Sequence, residues 1–111
     1  MAYDEDLAGR VRELLGGDPD VTEKRMFGGL AFLAGGKMAV AASGQGGLMV
    51  RVAPEETDAL LEEPGAGPFE MRGRPLDGWL RVGEAGLGSR RELETWVARG
   101  VAYARSLPAK G

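Results

Sequence analysis

Between Val21 and Val52 the apolar residues recur with a period of two, and glycine-rich breaks cut the stretch at short intervals. That period belongs to strands, which send successive side chains to opposite faces. Residues 22–27 read as a first strand, halted by Gly28-Gly29. Residues 30–34 and 37–42 flank Gly35-Gly36, the two-residue signal of a tight hairpin. A glycine-rich loop at 43–47 leads into a fourth strand over 48–52. The stretch predicts a four-stranded antiparallel meander.

On either side the period changes. Leu7, Val11, Leu14 and Leu15 form one helical stripe, which predicts a helix over 4–15, capped by Asp4 and stopped by Gly16-Gly17 and Pro19. Asp18 and Asp20 read as turn residues. Pro54, with Glu55 and Glu56, opens a short second helix that Pro64-Gly65 ends after Leu60 and Leu61. Residues 69–72 and 79–82 predict two more strands around a loop at 73–78. Ser89 and Glu92 form a capping box ahead of the longest helix, whose stripe is Leu93, Trp96, Val97, Gly100, Ala104 and Leu107. Pro108 is expected to end that helix, with 109–111 as a loose tail.

The expected fold is therefore α+β. It is a single two-layer domain over residues 1–111, with an antiparallel sheet of about six strands and three helices in the order α-β-β-β-β-α-β-β-α. Leu48, Val50 and Val52 face one way, while Met49 and Arg51 face the other. In 30–34 and 38–42 both faces are apolar, so both expect cover. A symmetric homodimer is expected to supply the second cover, with wrapping by a terminal helix as the competing arrangement.

Composition narrows the chemistry. The chain has 111 residues, room for one domain, and neither Cys nor His. Disulfides, thiolate and imidazole metal sites and His-based acid–base schemes are excluded. Gly35-Gly36-Lys37 fails as a phosphate loop because Ala31 and Met38 stand where Gly and Ser or Thr are needed. Gly44-Gln45-Gly46 fails as a dinucleotide fingerprint because Met49 takes the place of the third Gly. The acid pairs lack calcium-loop spacing and most fall at helix starts or on exposed helix faces, so no metal, no cofactor and no catalytic residue is expected.

The net charge is −3, which leans against a domain that lives on nucleic-acid phosphates. Arg72, Arg74, Arg81, Arg90, Arg91, Arg99 and Arg105 make the second half rich in arginine, but acids are interleaved with them. A salt-bridged surface is the favoured reading. The acidic N-terminus lacks the order of a secretion signal, and no apolar run approaches the ~20 residues that span a bilayer. A cytoplasmic protein without a membrane partner is expected.

Residues 21–32, with Lys24, Arg25, Met26, Phe27, Gly28 and Gly29 at their centre, resemble the signature of the TfoX N-terminal domain family. Arg51 within 48–52, and Arg74, Pro75 and Trp79 within 73–79, continue the resemblance, as does the closing helix with Trp96-Val97. The resemblance implies an antiparallel sheet packed by helices, a link to regulation of DNA-uptake competence, and no established catalytic residues. Against the family's longer regulators, a stand-alone domain is expected here. The expected function is a non-enzymatic regulatory or protein-interaction role with an unidentified protein partner. The alternatives are nucleic-acid binding through the arginine-rich half, or a small enzyme using carboxylates or arginine.

Overall fold

The structure, a computed structural model, describes residues 3–26, 28–44, 46–71 and 73–107. Helix α1 (Glu5–Leu15) leads into strands β1 (Val21–Met26), β2 (Gly29–Ala34), β3 (Lys37–Ala42) and β4 (Leu48–Arg51). A 3-10 turn (Pro54–Glu56) runs into the one-turn helix α2 (Thr57–Leu60), followed by β5 (Ala66–Met71) and β6 (Arg74–Val82). A second 3-10 turn (Glu84–Gly86) precedes the closing helix α3 (Arg90–Ser106). The strands form one antiparallel sheet in the order β1-β2-β3-β4-β6-β5. The expected α+β class and element order are observed.

Both long helices start where their caps predict. The Asp4 carboxylate accepts from the N–H groups of Asp6 (3.0 Å) and Leu7 (3.1 Å). Ser89 Oγ accepts from the Glu92 N–H, and Glu92 Oε1 accepts from the Ser89 N–H, each at 3.1 Å. Pro108 and the expected tail lie outside the described residues.

Three expectations are corrected. Residues 73–78 are not a loop, since β6 begins at Arg74 and runs through Pro75 to Val82, and β5 begins at Ala66. β4 pairs with β6 only from Trp79 onward, and Arg74 and Pro75 have only Met71 and Glu70 of β5 as ladder partners. A segment paired on one side tolerates proline, and the turn signal is confined to Gly73. Gly29 is the first residue of β2 rather than part of the break before it. The opening of the second helix at Pro54 is a 3-10 turn, with α-helical bonding only from Thr57.

Helices α1 and α3 pack on one face of the sheet. Leu7 and Val11 from α1, and Leu93, Trp96 and Val97 from α3, close over Phe32, Val40, Leu48, Val50, Leu80 and Val82. α3 crosses β3 so closely that a Cβ on Gly100 would stand 2.5 Å from the Ala39 carbonyl oxygen. At the β2–β3 ladder Phe32 pairs with Val40 but Leu33 pairs with Met38, which leaves Ala39 as the extra residue of a bulge. Ala39 and Val40 therefore both join the helix-side core, and Met38 is turned to the opposite face.

Ion pairs fasten the helix layer at one end. Arg12 binds Glu23 of β1 through two bonds of 2.6 and 2.9 Å. Arg105, near the end of α3, binds Asp18 and Asp20 in the α1–β1 turn. The two aspartates are thus turn residues, as expected, and also anchors for α3.

Candidate functional site

The opposite face of the sheet carries a second apolar cluster, whose described members are all strand residues. Ala31, Ala41 and Met49 are buried at its centre, and Met26, Leu33, Met38, Phe69 and Trp79 pack around them. Strand alternation produces it: Leu33 and Ala31 leave β2 on the side opposite Phe32, and Met49 leaves β4 opposite Leu48 and Val50. No helix among the described residues contributes to this cluster, so the long side chains at its margin shield the alanines themselves.

Charge on this face has one sign along the ladders that join β1, β2, β3, β4 and β6. Lys24 stands opposite Ala31, Arg51 opposite Trp79, and Arg81 opposite Met49. The Arg51 guanidinium lies 5.1 Å from the Trp79 ring centroid and 5.9 Å from that of Tyr103, held at the rim by cation–π attraction. Arg81 reaches the other end, where its Nε donates to the Gly46 carbonyl at 3.0 Å. Lys24 is exposed on the edge strand.

The residues singled out from the sequence divide between places. Lys24, Met26, Arg51 and Trp79 converge on the open face. Arg25 is opposite Leu30 and so points to the helix side of β1. Arg74 and Pro75 are exposed near the β5–β6 turn, away from that cluster. Phe27 lies outside the described residues. Gly28 turns the chain at a φ of 74°, and a Cβ on Gly29 would collide with the Ala42 carbonyl oxygen. Both glycines therefore answer to the backbone. Sequence reasoning missed Met38 and Phe69, and named Arg81 only within the arginine-rich half. Period two alone predicts Arg81 beside Trp79's side, whereas the bulges at Ala39 and near Phe69 hide the other two.

A cleft of about 710 Å³ opens between the start of α1 and the loops after β3 and β6. It is lined by Arg10 and Arg81 but also by Asp4, Asp6 and Glu84, so neither sign of charge is concentrated there. Arg10 donates to the Leu87 carbonyl at 3.0 Å, which ties α1 to the chain before α3. Among the described residues no group of three or more carboxylates converges as a metal site. The shifted carboxylates belong to the scaffold: hydrogen bonds from Arg12 hold Glu23 below the ordinary range, and Arg105, then the Asp20 N–H, do the same to Asp18.

Three arginines of the second half have partners within the chain. Arg105 is engaged with Asp18 and Asp20, Arg99 stacks 4.6 Å from the Trp96 ring centroid, and Arg81 braces the Gly46 loop. Arg72 lies outside the described residues. No helix among the described residues is long and apolar enough to cross a membrane.

The model of the TfoX N-terminal domain matches residues 13–104. That span runs from the last turn of α1 to the last turn of α3 and includes every strand. Neither the curated proteins nor the solved structures contain a match.

Proposed function

The chain belongs to the TfoX N-terminal domain family, and from that premise we propose that it is a non-enzymatic regulatory domain that binds another protein through the open face of its sheet. The observation that carries this reading is the cluster around Ala31, Ala41 and Met49, apolar and joined by no helix among the described residues. A contiguous apolar face of this kind marks an interaction site more often than a bare surface. The homodimer expected from the sequence is the competing occupant of that face.

Leu33 and Met38 are half-buried on that face, so charge there disturbs the surface more than the fold. A Leu33→Glu, Met38→Glu protein should keep its thermal midpoint within a few degrees and lose the proteins that the unaltered chain retains from extracts of its own cell. Equal retention by both proteins contradicts the reading. The cations at the rim favour a second reading, nucleic-acid binding. Fluorescence polarisation with a short duplex decides it: submicromolar affinity that falls steeply with salt would establish that reading instead.

A further inference from the structure

We infer that the open face receives an acidic amphipathic helix from another protein, an inference that rests on the interaction reading above. Three independent features of the face point to this occupant.

The first is chemical. Three of the five methionines of the chain, Met26, Met38 and Met49, pack in the open cluster, and among the described residues none packs in the helix-covered core. Thioether side chains are unbranched and polarizable, and they remould around a bound apolar surface. A sealed core favours branched side chains with few rotamers; a docking surface uses methionine.

The second is charge. On this side the ladders joining β1, β2, β3, β4 and β6 place Lys24, Arg51 and Arg81 and no carboxylate. The Arg81 side chain turns to the Gly46 loop and the cleft beside α1, so Lys24 and Arg51 carry the charge of the face. A second copy laid face to face would therefore bring cations to cations with no carboxylate from those ladders between them, and like charges across an interface are penalised. A partner with carboxylates beside its apolar stripe meets the opposite arrangement. Arg51, already oriented by the Trp79 and Tyr103 rings, is placed to accept one.

The third is geometry. Four inter-strand spacings of ~4.8 Å make the face from β1 to β6 about 19 Å wide, which a helix of about 13 residues or more crosses at 1.5 Å per residue. A helix is also what covers the other side of this same sheet, where α3 lies over β3.

The test uses the whole chain with methyl-labelled methionine and two synthetic helical peptides of about 16 residues. Both carry Leu at i, i+3, i+4 and i+7; one has Glu at the flanking positions, the other Lys. The Glu peptide should bind about tenfold tighter at low salt, move the methyl signals of Met26, Met38 and Met49, and lose its advantage as salt rises. Lys24→Glu, a change at an exposed position, should shrink that preference without altering the thermal midpoint. Equal affinity of the two peptides at this face overturns the acidic occupant while leaving the interaction reading intact. Methionine shifts that instead follow protein concentration, with a doubled mass in light scattering, overturn it in favour of a second copy. Methionine signals unmoved by either peptide overturn both.

Discussion

One sheet presents two faces built from different side chains. Under α1 and α3 lie Phe32, Val40, Leu48, Val50, Leu80 and Val82, all essentially inaccessible. On the other side lie alanines ringed by Met26, Leu33, Met38, Phe69 and Trp79, which shield one another only in part. The difference separates two uses of apolar residues. Branched and aromatic side chains locked between layers hold the fold, whereas small residues with flexible neighbours make a surface that can be covered and uncovered. The strand alternation that creates the first face creates the second at the same time.

The largest contrast comes from truncation. Phe32→Ala on the covered face should cost about 3–5 kcal/mol, as a cavity under α1 and α3 cannot close fully. Met38→Ala on the open face should cost less than about 1 kcal/mol, because solvent fills the space. Urea denaturation of the two proteins reads both numbers, and similar losses would erase the distinction.

Backbone approach sharpens the comparison at intermediate size. Gly100→Val drives a side chain into the Ala39 carbonyl and the Val40 side chain and should cost about 1–3 kcal/mol, measured by the same denaturation. Gly28→Ala strains a turn where a Cβ meets nothing within 4 Å, so its cost of about 1 kcal/mol is conformational alone. A Gly28→Ala protein that kept its stability but failed to bind partners would make the turn a contact site.

The smallest effect is electrostatic and belongs to the covered side. Asp18 and Glu23 are held below the ordinary carboxylate range by Arg105 and Arg12. Groups with lowered folded pKa values bind fewer protons folded than unfolded, so their contribution is full above the unfolded values, near pH 4. It is lost as pH falls through the folded ones. Arg105→Gln should lower the thermal midpoint slightly at neutral pH, and the deficit should shrink as Asp18 is protonated in the folded chain. A deficit unchanged at low pH would assign Arg105 a packing role instead.

The legibility of these features follows their physics. Caps at Asp4 and Ser89, the Gly35-Gly36 hairpin and the helix stripes are local, and each stands in the structure where its residues predict it. The opposite facing of Met49 and Val50 was legible too, because period two needs no distant partner. The strand through Arg74 and Pro75 was not, since its pairing with β5 is decided by neighbours and its composition reads as a turn. The clamp of Arg105 on Asp18 and Asp20 joins residues far apart in sequence and leaves no local signal. The same limit applies to the open face. Its apolar doublets announce a second surface, but a bulge at Ala39 decides that Met38 belongs to it.

The most direct measurement of the central claim is solvent paramagnetic relaxation of methyl groups in the free chain. Met26 and Met38 methyl signals should broaden strongly with a soluble relaxation agent, while those of Leu48, Val50 and Leu80 stay sharp. Equal protection of the two sets would contradict the account, because the face assigned to a partner would then already be covered by the chain itself or by a second copy of it.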